Sequence, residues 1–285
     1  MAVNKVNFRQ DGTVNQSRGL SQAIWGDCPI QEILEDNDRG IMFFDDFLDW
    51  GLPGTQSTEI NLGRYKVYSA ANGKWITDAM PSSTTASVVG GVVSGLCDTE
   101  GDAAAFGTQA CPFLLTTTQK GKIWFEARIA TTSILTNMGQ LFCGLAENQI
   151  ATFGVATPLD NANATAATMA MIGFNRLEDG LGVLNTSYAD HAAAWTDVQA
   201  AANSTLAANT WIKLGMMIDF SNSLRCVRFF VDNVECTSAM TKAVLLATTF
   251  LDVSGLGPCL AFYADSAGTA DYVYIDWWRV AQTFY

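Results

Sequence analysis

From residue 40 to the C-terminus the chain is a succession of short segments rich in β-branched and aromatic residues, parted by turn-forming ones. GIMFFDDFL (40–48), RYKVYSA (64–70), SVVGGVVSGL (87–96), KIWFEARIAT (122–131), QLFCGLAE (140–147) and TMAMIGFN (168–175) come first. LGVLNTSY (181–188), WIKLGMMIDF (211–220), LRCVRFFV (224–231), VECTSA (234–239), CLAFYAD (259–265) and DYVYIDWWRV (271–280) follow. Such residues suit a pleated, half-buried surface, and the Gly, Asn, Asp, Ser and Pro between them supply turn conformations. Several segments alternate with period two, the signature of a strand with one face on a core. In KIWFEARI, Ile123, Phe125, Ala127 and Ile129 share one face, and Lys122, Trp124, Glu126 and Arg128 the other. Ile212, Leu214, Met216 and Ile218 align in the same way. The pattern predicts an all-β sandwich or barrel, and the lack of a fixed-period repeat tells against a solenoid or fibre shaft. The alanine-rich stretch 189–208 could be helical by propensity, but alanine alone is a weak signal and a strand or irregular excursion is preferred.

Residues 1–39 differ. They are polar and poor in aromatics, and Pro29 is placed to open a short helix over PIQEILED. This defines an extended N-terminal arm, 1–39, ahead of a β domain, 40–285. An arm that keeps Ile24 and Trp25 is either an idle terminus or a strap for a neighbouring subunit.

Charge narrows the partners. Sixteen Lys+Arg against 28 Asp+Glu give a net charge of −12 with no basic cluster, which disfavours nucleic acid and anionic lipid. No apolar run approaches the ~18 residues of a membrane span; VVGGVVSGL (88–96) and AVLLATTFL (243–251) are strand-sized. The polar start MAVNKVNFRQDG has no secretory signal, so the sequons at Asn15, Asn163, Asn185 and Asn203 carry no meaning for glycosylation.

The inventory of chemistry-bearing residues is thin. His191 is the single histidine, set in ADHAAAW with no nucleophile motif around it, which excludes multi-histidine metal sites and disfavours a catalytic triad. None of Cys28, Cys97, Cys111, Cys143, Cys226, Cys236 and Cys259 forms a CxxC pair, and free thiols are expected. Cys226 and Cys236 flank a hairpin whose turn is Asp232-Asn233. That register pairs Val231 with Val234 and Phe229 with Cys236 and turns Cys226 to the opposite face, which forbids a bridge. Gly90, Gly91 and Gly95 lie in a strand-like run with no following helix, so a phosphate loop is not supported.

A glycoside hydrolase needs two carboxylates flanking the scissile bond. Glu32, Glu35, Asp36 and Asp38 crowd the arm; Glu126 shares a face with Arg128 as an ordinary surface salt link; Asp276 has no second acid two residues away. Asp98, Glu100 and Asp102 around a glycine, and Asp45, Asp46 and Asp49, could offer oxygen ligands to calcium, but acidic turns are usually only solvated. Trp50, Trp75, Trp195 and Trp211 could stack on sugars, though tryptophans of a β-protein more often fill cores or interfaces. No catalytic, metal or cofactor residue is assigned.

NTWIKLGMMIDFSNSLRCVRFFVDNVEC (209–236) and PCLAFYADSAGTADYVYIDWWRVAQ (258–282) resemble the central hairpins and closing strands of the concanavalin A-like jelly roll. IMFFDDFLDW, KIWFEARIATTSI, QLFCGLAE and IDWWRVAQ together are similar to a group of tailed-bacteriophage virion proteins, over roughly residues 25–285. The resemblance implies a concanavalin A-like jelly-roll β-sandwich without a catalytic centre. It further implies a non-enzymatic capsid decoration or cement protein, made in the host cytoplasm and assembled on the virion. The expected partners are the major capsid protein and other copies of the chain, as a homotrimer; nucleic acid and membrane are not expected. A glycan-binding module touching host polysaccharide is the alternative, and a polysaccharide-cleaving enzyme the least favoured reading.

Overall fold

The structure is a computed structural model. It describes residues 19–47, 60–70, 73–77, 91–97, 99, 101–115, 121–132, 140–148, 169–176, 182–190, 196–220, 226–236, 240, 242–245, 250–251, 253–263 and 271–284. Two short helices lead, α1 (Gln22–Trp25) and α2 (Ile30–Glu35). Then come β1 (Gly40–Asp45), β2 (Ile60–Leu62), β3 (Tyr65–Ala70), β4 (Lys74–Thr77), β5 (Val93–Cys97), β6 (Ala103–Thr108), β7 (Phe113–Leu115) and β8 (Lys122–Thr131). β9 (Gln140–Ala146), β10 (Met171–Arg176), β11 (Val183–Ala189), β12 (Thr196–Thr205), β13 (Ile212–Asp219), β14 (Cys226–Val231) and β15 (Val234–Glu235) follow. A third helix, α3 (Lys242–Leu245), precedes β16 (Val253–Tyr263) and β17 (Asp271–Thr283).

The strands form two antiparallel sheets. One runs β15-β14-β13-β8-β17-β5-β4, with β1 also on β17; the other runs β12-β11-β10-β9-β16-β6-β3-β2, with β7 also on β16. Sequence neighbours repeatedly lie in different sheets or across a sheet from each other, as in a jelly roll. The predicted inner faces meet between the sheets: Ile123, Phe125, Ala127, Ile129, Leu214, Met216 and Ile218 all belong to the main core. At its centre Phe106 stacks on Trp278 with ring centroids 4.4 Å apart, and Phe47, Tyr65 and Trp75 close around Phe106.

The β14–β15 hairpin has the expected register. Val231 faces Val234, the Cys236 N–H donates to the Phe229 carbonyl at 2.8 Å, and Asp232 and Asn233 take φ of 47° and 68°. Positive φ at both central residues makes the turn whose twist matches that of the strands. All seven cysteines are described, and none is in a disulfide.

Four strands went unforeseen: β2, β4, β6 and β7. The segment 243–251, too short for a membrane span, begins within α3. Residues 196–205 of the alanine-rich excursion form β12. The predicted helix after Pro29 is present as α2.

The described part of the arm packs in cis. Ile24, Trp25, Cys28 and Ile33 share a cluster with Trp124, Met217, Phe230 and Ala281, on the outer face of the sheet that holds β8 and β17. Ile24 enters a notch over Gly215, where an added Cβ would stand 2.1 Å from Ile24 Cδ1. These residues therefore cover the chain's own sheet, and the neighbouring-subunit strap of the sequence reading does not describe them. Residues 1–18 lie outside the described set. Burying an aromatic of this size makes the docked arm contribute to the stability of the sandwich, so Trp25→Ala should cost about 3–5 kcal/mol of unfolding free energy in a urea titration. A loss under about 1 kcal/mol would mean that the Trp25 contact adds little to the folded state.

Candidate functional site

Among the described residues, the largest gathering of buried charge lies on the outer face of β8, the face expected to be solvated. Two structural devices place it there. The first is a bulge: β17 pairs Ile275 with Ile129 and then Trp277 with Arg128, leaving Asp276 as the extra residue. A bulge re-aims side chains locally, and here it brings the Asp276 carboxylate to 2.5 Å from Arg128 Nη1. Both side chains are essentially buried, and the Arg128 guanidinium lies 4.5 Å from the Trp211 ring centroid. Two residues beyond Trp277, the Arg279 guanidinium lies over the rings of Phe44 and Trp277.

The second device is the arm. Glu126 is fully buried, and its Oε2 accepts the Ser21 backbone N–H at 3.1 Å and the Trp25 indole N–H at 2.8 Å. Its Oε1 has no hydrogen-bond partner among the described residues. Desolvation raises the Glu126 pKa; the hydrogen bonds from the arm and the nearby Lys213 charge oppose that rise without cancelling it. A reciprocal contact runs the other way: the Asp27 carboxylate accepts the Trp124 indole N–H at 2.9 Å and Lys122 Nζ at 2.8 Å. Lys122 also reaches Asp219 at 3.0 Å. Burial works against the Lys122 charge, but its two carboxylate partners outweigh it and hold its pKa up. Each tryptophan thus donates to a carboxylate on the other's segment.

The expected surface link between Glu126 and Arg128 is corrected by this arrangement. Residues two apart on a strand face do point the same way, but each finds a better partner from far along the chain, Glu126 in the arm and Arg128 at the bulge. Neither is at the surface.

The other candidates are dispersed. Asp45 Oδ1 accepts the Phe47 N–H at 2.7 Å, while its Oδ2 takes a short hydrogen bond from the Tyr65 hydroxyl and lies 3.3 Å from Arg64. Burial, then Asp45, pushes the Tyr65 phenol well above its ordinary range. Asp46 is exposed, and the buried Asp102 accepts the Thr99 N–H at 2.8 Å. Asp102 is engaged within its own turn and Asp45 by its own turn, Tyr65 and Arg64, and among the described residues no cluster of three metal-ligating side chains occurs. Asp36 pairs with Arg39, and Glu35 with Gln31, on the exposed side of the arm. Trp75 and Trp211 are buried, and Gly95 is the residue against which the Trp75 ring rests. Asp49, Trp50, Gly90, Asp98, Glu100, His191 and Trp195 lie outside the described residues.

On the outer face of the second sheet, Tyr68 of β3 and Tyr263 of β16 are half-buried. Between them β6 contributes only Ala103 and Ala105, and Ala261 faces Ala105.

No family model matches the chain, and no characterised protein matches it in sequence. Solved structures do match in fold. A protein of unknown function from Shewanella oneidensis aligns with a TM-score of 0.51 at 12% identity, over 86% of this chain and 87% of that one. Arcelin-5, a lectin-like defence protein of Phaseolus vulgaris, gives 0.47 at 9% identity over 87% and 100%. An endo-1,3-beta-glucanase from Streptomyces sioyaensis gives 0.44 at 14% identity over 85% and 88%. The fold is a concanavalin A-like β-sandwich of two antiparallel sheets, and the Shewanella protein shares that architecture.

The role of Glu126 was missed from sequence, although a signal existed. A tryptophan beside it on the supposed solvent face, together with Trp25 in an otherwise polar arm, marks a covered surface. Removing one member of a buried pair leaves an uncompensated charge, so Arg128→Met should destabilise by about 3–5 kcal/mol. Arg128→Met/Asp276→Leu should recover most of that loss in chemical denaturation; a double variant as unstable as the single one would show that the pair is not isolated from its surroundings.

Proposed function

We propose that this chain is a non-enzymatic structural protein of a virion, a head decoration protein that binds the major capsid protein and copies of itself. The observation that carries the non-enzymatic part is the fate of the acids. Glu126 and Asp276, the two strand carboxylates weighed as catalytic acids from the sequence, are closed over by the arm and by Arg128. A general acid or nucleophile must reach the bond it cleaves, and these carboxylates face protein. The virion assignment rests on the sequence resemblance over residues 25–285. A sandwich with buried apolar clusters on the outer side of its sheets as well as between them suits a part made for contact rather than turnover.

A glycan-binding reading has one observation of its own. Tyr68 and Tyr263 stand two strands and two residues apart, about 12 Å by sheet spacing, with alanines between them. Half-buried aromatic faces over a small-residue floor are suited to sugar stacking.

Cryo-electron microscopy of the particle that carries this protein tests the first reading: ordered copies at capsomer junctions are expected, and a shell without such density overturns it. Light scattering of the purified chain at micromolar concentration should give a trimer rather than a sharp monomer. The glycan reading is checked on an array of bacterial surface polysaccharides, where a signal abolished by Tyr68→Ala/Tyr263→Ala would move the assignment to it.

A further inference from the structure

We infer that residues 20–36 form a strap whose hold on the sheet is governed by protonation of Glu126, tight in acid and looser at neutral pH. The inference concerns the strap alone and does not depend on the virion reading.

The strap is fastened at few points. Lys213 Nζ reaches the Gly19 carbonyl at 3.4 Å, the Ser21 N–H and the Trp25 indole converge on one oxygen of Glu126, and the Ala23 N–H donates to Asn233 Oδ1 at 2.8 Å. Asp27 closes the row on Trp124 and Lys122. Beyond it, α2 packs on β1. Among these fasteners Glu126 is the one placed at full burial with an oxygen lacking a partner among the described residues. That oxygen is where a proton would be held without displacing either arm hydrogen bond.

The charged groups around Glu126 set the sign. On β13, Lys213 favours the carboxylate. On β17 its ladder partner is Arg279, whose guanidinium is drawn over Phe44 and Trp277. On β8, Arg128 is committed to Asp276. From β14, Phe230 faces Gly215 and adds no charge. From the arm, Asp27 is held by Lys122. Docking the arm excludes water from the carboxyl, and burial lifts its pKa above the ordinary 4.5. An acid with a raised value when docked binds more protons docked than undocked. Docking is therefore strongest below the ordinary value and weakens as pH rises through the lifted one. Undocking uncovers Trp124, Met217 and Phe230, an apolar face open to other contacts.

The test is hydrogen exchange by mass spectrometry on the full chain from pH 5 to 8, corrected for the intrinsic pH dependence of exchange. Opening of residues 20–28 should rise about tenfold for each unit by which docking lifts the pKa within that range, with β8 and β17 unchanged. Glu126→Gln, neutral at every pH, should abolish the slope, and Asp27→Asn should loosen the strap at all pH values and keep it. A flat profile in the unaltered chain, or the same slope in Glu126→Gln, overturns the inference. Should Glu126→Gln fail to fold, the carboxyl carbon shift of Glu126 in glutamate-labelled unaltered protein decides. It must titrate over the interval in which the strap opens, and titration over another interval overturns the inference.

Discussion

A fully buried glutamate on a strand face is the constraint around which one half of this sandwich is arranged. Desolvating a carboxylate costs several kcal/mol unless donors replace the lost water. At Glu126 the donors come from residues about a hundred positions earlier, Ser21 and Trp25. The arm is thus the layer that satisfies this carboxylate. It brings a complementary carboxylate, Asp27, that satisfies the Trp124 indole and Lys122. Gly215 admits Ile24 to the same surface, because any side chain there would collide with it. Charge, hydrogen bonding and shape all select one docked position.

The bulge at Asp276 solves the same problem by another route. Arg128 stands two residues along from Glu126 on β8; the register of Ile275 with Ile129 leads to Asp276 opposite it, whereas the register beyond the bulge sets Trp277 there. One extra residue shifts the phase, so that Ile275 fills the inner core, Asp276 meets Arg128, and Trp278 returns to the core against Phe106. The aromatic run YIDWW is the sequence trace of that change: an unbroken period-two strand would set Trp277 and Trp278 on opposite faces with Asp276 facing away from Trp277.

Legibility followed chemistry that is local. β8, β13 and the β14–β15 hairpin were readable because alternation and turn residues act over a few positions, and even the face of each cysteine in the hairpin followed from parity. β6 was not readable, because AAAFGT carries almost no β-branched residue; alanines are chosen there for how closely neighbouring strands and side chains approach, which is a property of the packed sheet. AVLL was weighed only for its length, and apolar residues without a visible period fit a helical turn as readily as a strand. The site was less legible still. Glu126 and Arg128 looked like each other's partners because they are near in sequence, while their real partners are separated from them by 101 and 148 residues. Long-range pairing leaves no spacing rule to read.

This placement also bears on how a shared fold relates to activity. A sandwich face can hold a catalytic acid only if the space above that acid is left to substrate. Here the face with the most ionisable groups is filled by the chain's own N-terminal segment, and its carboxylates are neutralised by Arg128, Lys122, indoles and backbone amides. Fold is indifferent to that choice, since both uses keep the same two sheets. What separates them is what lies over the buried carboxylate, and at Glu126 it is the chain's own Ser21 and Trp25. The same choice makes the arm's fastening conditional, because a carboxyl that depends on exclusion of water for its environment changes the stability of whatever excludes the water when its proton is lost.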